Sequence, residues 1–193
     1  MTGADVVLAD LTEARQALDA LIADKAMLEA VAAAGHRIYS CGNGGSLCDA
    51  MHFAEEMTGR YRQNRRPYRA QAIADASHLA CVANDFGYED VFSRWVEAFG
   101  KPGDVLLAIT TSGTSKNVVK AARTAREKGV KVIALTGKAG SEITKLADIA
   151  VVTPGGAWAD RVQELHIKVI HILIELVERE LDPKNYQTGS EHA

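Results

Sequence analysis

Four side chains in this 193-residue sequence have types and spacings suited to holding a metal ion or moving a proton: His52 and Glu56 in one segment, Gln163 and His171 in another. Residues four apart share a helix face, and residues eight apart nearly do. Alone, His52 and Glu56 read as a surface pair, and His171 within Val169-Ile170-His171-Ile172-Leu173 as a buried histidine with a backbone partner. Together the four could form a site for a borderline cation such as zinc, with glutamine an unusual ligand, or an acid–base pair. Glu56 suits a general base for a proton next to a carbonyl, and His171 a general acid, because modest perturbation brings each group near neutrality. The spacing is not the H-E-x-x-H pattern of metalloproteases.

An anion-binding pattern occurs twice. Cys41-Gly42-Asn43-Gly44-Gly45-Ser46 follows Arg37-Ile38-Tyr39-Ser40, and Thr110-Thr111-Ser112-Gly113-Thr114-Ser115 follows Val105 to Ile109. Glycine lets backbone amides turn inward, hydroxyls add donors, and the helix that follows starts with unpaired N–H groups at its positive dipole end. The first loop lacks the Gly-Lys-Ser/Thr triplet of a P-loop, and Leu47 stands where a dinucleotide fingerprint needs its third glycine. The hydroxyl density of the second loop exceeds what a turn requires and matches a phosphate monoester. Paired, the loops point to a phosphorylated small molecule.

The elements that must position these groups follow from hydrophobic periodicity. A helical pattern runs from about Ala4 to Ala34, restarts near Asp24 and ends at Gly35. Short apolar runs then predict strands at Arg37 to Ser40, Arg69 to Ala74, Asp104 to Thr110, Val130 to Thr136 and Asp148 to Thr153. Helical patterns separate them at Ser46 to Thr58, Ser77 to Gly100 (a pair), Ser115 to Lys128 and Glu142 to Ala147, and a long helix closes the chain from Ala159 to about Leu181. This alternation predicts an α/β fold whose parallel sheet is covered by helices on both faces, with ligands beyond the carboxyl ends of the strands. The tail after Pro183 reads as disordered.

A formal charge of −3 and 47% hydrophobic residues argue against a general nucleic-acid or membrane-surface role, and no apolar run approaches the ~20 residues of a spanning helix. The expected location is the cytoplasm. Cys41, Cys48 and Cys81 are odd in number without C-x-x-C spacing, and read as buried free thiols. The cluster Arg60, Arg62, Arg65, Arg66 and Arg69 reads as a solvated basic loop, or else Arg60 reaches the anionic ligand. His78 and His166 read as structural or surface residues, and His36 as lacking a partner. Asn84-Asp85 forms a polar turn that could line the crevice.

Ser40 to Ser46, Met51 to Glu56, Asn84 to Gly87, Thr110 to Ser115 and Gln163 to His171 together resemble the phosphoheptose isomerases, a family of sugar-isomerase (SIS) domain proteins. The resemblance runs from about Tyr39 to Val177. It implies a three-layer sandwich with a five-stranded parallel sheet: residues 1–34 an N-terminal helical segment, 35–182 the SIS domain and 183–193 a flexible tail. It further implies conversion of sedoheptulose 7-phosphate to D-glycero-D-manno-heptose 7-phosphate, the first step toward the heptose of bacterial lipopolysaccharide. Ser46, Thr110, Thr111, Ser112 and Ser115 would hold the phosphate; Asn43, Gly44, Gly45, Asn84 and Asp85, with Glu56 and Gln163, would meet the sugar. Glu56 would be the base and His171 the acid. His52, Glu56, Gln163 and His171 would be the zinc positions, in a homotetramer whose sites draw on neighbouring subunits. The stretch from Asp24 to Gly35 is shorter than in relatives, and Leu47 replaces their usual histidine or alanine. Two other readings carry the same loops: a non-catalytic SIS regulator or initiator-binding protein, and an isomerase for another sugar phosphate.

Overall fold

The computed structural model describes Thr12 and residues 36–153 and 158–186. Apart from Thr12, the expected N-terminal helical segment lies outside the described residues. The apolar runs form β1 (Ile38–Cys41), β2 (Ala70–Ala72), β3 (Val105–Ile109), β4 (Lys131–Thr136) and β5 (Ile149–Val152). Helices connect and close them: α1 (Gly45–Thr58), α2 (Ala76–Asp85), α3 (Ser93–Phe99), α4 (Lys116–Glu127), α5 (Glu142–Leu146) and α6 (Ala159–Leu181).

All four strand pairings are parallel, in the order β2-β1-β3-β4-β5. Side chains alternate across the pleat, so each strand feeds two cores. Ile38, Val105, Leu107, Ile109, Ile133, Leu135 and Val151 pack beneath α1 and α6, while Tyr39, Cys41, Leu106, Ala108, Val132 and Ala134 face α2 to α5. Two buried faces explain why β3 is apolar throughout rather than alternating. The result is the three-layer sandwich expected, with five parallel strands.

Strand order also fixes where a ligand can sit. The chain leaves β1 toward β2 on one side and returns to place β3 on the other, which opens a crevice at the carboxyl ends of β1 and β3. Cys41 pairs with Ala108 at that end, so both hydroxyl-glycine loops leave the sheet side by side.

Several expectations change. β2 is three residues long, because after the Ile73 amide bonds to the Ser40 carbonyl at 2.8 Å the chain turns into the Asp75 cap of α2. The start of the tail is ordered: Pro183–Tyr186 forms a 3₁₀ turn, with the Tyr186 hydroxyl donating to Glu178 Oε2 at 2.7 Å. Cys41 is buried, and burial pushes its thiol up to about 12, but Cys48 and Cys81 are exposed on their helices. His36 has a partner, with Nδ1 3.8 Å from Asp104.

The arginine cluster divides. Arg60, Arg62 and Arg66 are exposed, and Arg62 reaches Glu175 at 2.8 Å. Arg65 is buried, with Nε donating to Glu178 Oε1 at 2.7 Å. Its other nitrogens donate to the Glu56, Met57 and Gly59 carbonyls at 2.7, 2.9 and 2.8 Å. These are the orphan carbonyls at the end of α1, so Arg65 caps that helix and ties it to α6.

Candidate active site

The packing of α1 against α6 brings the proton-transfer groups together. Val169, Ile170 and Leu173 of α6 share a core with Ala50, Phe53 and Met57 of α1, and this turns His171 toward the His52 face. The two Nε2 atoms lie 2.9 Å apart, their rings in a T-shaped contact with centroids at 5.1 Å. Glu56 Oε1 is 3.7 Å from His52 Nε2, and ligand atoms of His52, Glu56 and His171 all fall within 4.8 Å of one another. Tyr61 flanks His171, ring centroids 5.9 Å apart.

On its other side, His52 Nδ1 meets Glu55 Oε1 at 3.2 Å. A carboxylate on Nδ1 favours the tautomer that aims the Nε2 lone pair inward, the usual support for a metal-ligating histidine. Two imidazoles and a carboxylate also form a donor set that zinc accepts. These residues therefore fit the ion.

Burial raises the Glu56 carboxyl above its ordinary range, with Glu55 adding to the effect and His52 and Arg65 opposing it. Burial likewise lowers the His171 imidazole, helped by positive charge at His52 and Lys168. A stronger base and a stronger acid thus face each other in one half-buried site.

Gln163 stands two helical turns nearer the start of α6. It lies over Gly45, where an added methyl group would overlap its amide. Eight residues of helix span about 12 Å, so Gln163 faces the glycine loop while His171 faces His52. Glu164 pairs with Arg161 at 2.8 Å, away from this cluster.

The glycine loop turns at Gly44, whose φ of 53° suits glycine, and α1 starts with no side-chain cap. Ser46 is buried beneath it, its amide donating to the Asn43 carbonyl at 3.0 Å. In the second loop, Thr110 Oγ1 meets Ser115 Oγ at 2.9 Å and Ser112 Oγ at 3.4 Å, while Ser112 Oγ accepts from the Thr114 amide at 3.3 Å. Gly113 is left-handed and packs on Ser141 so closely that a Cβ could not fit. Hydroxyls gathered on one another at an uncapped helix start make a preformed anion seat. A cleft of about 530 Å³ opens beside it, lined by Thr111, Ser112 and Thr114 on one wall and Lys138, Trp158 and Val162 on the other.

Asn84 and Asp85 are exposed at the end of α2 and bond to each other at 2.7 Å. They do not join the histidine cluster. The 3₁₀ turn that follows them, Tyr88–Asp90, reaches the glycine loop instead, through a Tyr88 hydroxyl bond to Asn43 Oδ1 at 3.0 Å. Sequence reasoning missed Asn117 and Arg65. Asn117 could have been found as an amide on the largely apolar buried face of α4 that carries Val118, Ala121 and Ala122.

Comparison with known proteins identifies the family. The SIS domain model matches residues 4–137. The chain is 56% identical over 188 residues to phosphoheptose isomerase of Proteus mirabilis, an alignment covering 92% of this chain and 98% of that one. It is 54% identical over 187 residues to the phosphoheptose isomerase of Escherichia coli, covering 92% and 97%. A solved phosphoheptose isomerase from Neisseria gonorrhoeae superposes with a TM-score of 0.74 at 36% identity, covering 92% of this chain and 99% of that one. One from Francisella tularensis gives 0.77 at 29% identity, covering 93% and 100%. With fold and sequence in agreement, the chain belongs to the phosphoheptose isomerase family of SIS-domain proteins.

Proposed function

We propose that the protein is an aldose–ketose isomerase that interconverts sedoheptulose 7-phosphate and D-glycero-D-manno-heptose 7-phosphate. One observation carries the reading: Glu56 and His171 meet at His52, on the helix that starts from the same crevice as the hydroxyl loop. The loop Thr110 to Ser115 holds the phosphate, with Ser46 supporting it. The glycine loop at Asn43 to Gly45, with Gln163, faces the sugar, and Asn84 and Asp85 lie at the rim.

Anchoring the phosphate makes proton transfer at the far end effectively intramolecular. Glu56 takes a proton from C1 of the ketose while His171 gives one to the carbonyl oxygen at C2, leaving an enediol. Return of the C1-derived proton from Glu56 to C2, with transfer of the O1 proton to the deprotonated His171, yields the aldose and restores both groups. Raised basicity at Glu56 favours proton removal, while the lowered pKa of His171 makes its imidazolium a stronger acid and a scarcer one near neutrality.

Zinc would be held by His52, Glu56 and His171, whose donor atoms converge, and when bound would polarise substrate oxygens, while Gln163, the expected fourth position, lies over Gly45. Binding to Glu56 would also lower that group's basicity, so the two duties of Glu56 compete. The family resemblance further supports a homotetramer with shared sites. A cytoplasmic place at the start of lipopolysaccharide heptose synthesis fits the substrate, and no helix among the described residues is long and apolar enough to cross a membrane.

A regulator that only senses sugar phosphate has no use for a carboxylate facing a paired histidine. Incubating the protein with sedoheptulose 7-phosphate, with and without added zinc, tests the reading: aldose product is expected, and its absence in both cases would sink it.

A further inference from the structure

The glycine loop and the hydroxyl loop, assigned above to opposite ends of the substrate, are tied to each other by a reciprocal amide pair. Asn43 Nδ2 donates to Asn117 Oδ1 at 2.9 Å, and Asn117 Nδ2 donates back to Asn43 Oδ1 at 2.8 Å. The Tyr88 hydroxyl adds a third bond to the same Asn43 Oδ1, at 3.0 Å. Both lone pairs of that oxygen are thereby used, and the Asn43 amide keeps a single free N–H. Three separate parts of the chain meet at one atom: the loop after β1, the turn after α2, and the first turn of α4.

Asn117 occupies a place where the apolar pattern of α4 calls for a hydrophobic residue. It is 3% exposed, and Val118, Ala121, Ala122 and Ala125 on the same helix are all buried. An amide there is tolerated because three of its four hydrogen-bonding positions are used, its Oδ1 also accepting the Val118 amide at 2.9 Å. An apolar residue would fill the position without needing partners. What the amide adds is a directional link across 74 residues of sequence, from the hydroxyl loop's helix to the glycine loop.

We propose that Asn117 and Tyr88 are positioning residues that act through Asn43, fixing the separation between the phosphate seat and the loop from which the His52–Glu56 helix starts. The proposal rests on the isomerase reading given above. A heptose phosphate held only by its phosphate keeps many rotatable bonds, and productive proton transfer needs its C1–C2 end held about 3–3.5 Å from Glu56 with little slack. A fixed span between the two loops supplies that placement. The phosphate seat itself does not depend on it, because the Thr110, Ser112 and Ser115 hydroxyls organise one another.

The test is steady-state kinetics of Tyr88→Phe and Asn117→Ala on sedoheptulose 7-phosphate, with inorganic phosphate as a competitive probe of the seat. Tyr88 is 57% exposed, so Tyr88→Phe removes one hydroxyl from a surface ring and leaves the fold in place. Its kcat should fall roughly 3- to 10-fold, the worth of one hydrogen bond. Asn117→Ala should lower kcat by about 100-fold. For both, the inhibition constant of inorganic phosphate should stay within a factor of two (~2), the slack allowed to independent sites. Adding Tyr88→Phe to Asn117→Ala should change little, because the hydroxyl then props an oxygen already released. Independent multiplication of the two effects, or a weakened phosphate constant with kcat unchanged, would overturn the proposal. Should Asn117→Ala not fold, Tyr88→Phe alone decides. If the wild-type chain turns over nothing, the isomerase reading has failed, and the link is read from amide exchange at Gly42 to Ser46. Faster exchange in Tyr88→Phe then supports it, and unchanged exchange refutes it.

Discussion

His166 lies fully buried on α6 against the Thr136 backbone, and burial pushes its pKa down to about 4 from 6.5. Between those values the unfolded chain binds a proton that the native protein refuses, so stability falls as pH drops from 6.5 toward 4 and is unaffected above that window. The loss reaches about 3 kcal/mol at most. Melting curves across that range should show it, and His166→Gln should flatten the trend. Glu56→Gln keeps the shape of the side chain but removes the base, so kcat should fall about 1,000-fold or more with substrate still bound, as titration calorimetry would report. Retained turnover would take the base role from Glu56. The i,i+4 spacing of His52 and Glu56 was readable from sequence, and so was the unusual place of His171 in an apolar run. Their meeting was not, because 119 residues separate the two histidines and only helix packing joins them. Arg65 was hidden for a different reason: among four other arginines, nothing local marks the one that turns inward.

Between elements, the critical contact is α1 against α6, where the buried Arg65–Glu178 pair at 2.7 Å fastens the end of one helix to the flank of the other. Both side chains are out of water, so deleting one leaves an uncompensated charge and should cost about 3–5 kcal/mol. Glu178→Ala should therefore melt roughly 6–20 °C lower. Arg65→Lys should also destabilise, since an ammonium cannot reproduce the fork that reaches Glu178 and three carbonyls at once. Helix existence was legible because each helix carries an amphipathic stripe. The shortness of β2 was not, as the predicted run continues to Ala74 while the last bond to β1 is that of the Ile73 amide, a fact that belongs to the neighbouring strand. Nor did the sequence after Pro183 reveal that the ring of Tyr186 would dock under Arg179, 4.3 Å from the guanidinium, and reach Glu178.

At the level of the whole molecule, alternating strands and helices announced a parallel sheet but left its strand order open, and the order decides the crevice. Only placing β3 beside β1 sets the two loops next to each other. Zinc bound across α1 and α6 should then act as a clasp on the native state alone. At 100 times its dissociation constant it would add about 2.7 kcal/mol, visible as a raised melting temperature that a chelator reverses and His52→Ala abolishes. The same wide separation of His52 and His171 has a consequence in time. At ~5–20 residues per second, a ribosome needs roughly 6–24 s to travel from one histidine to the other. Throughout that interval the emerging chain already carries its glycine loop, and then its hydroxyl loop, yet lacks His171. The cluster of His52, Glu56 and His171 is therefore completed only when α6 has been made.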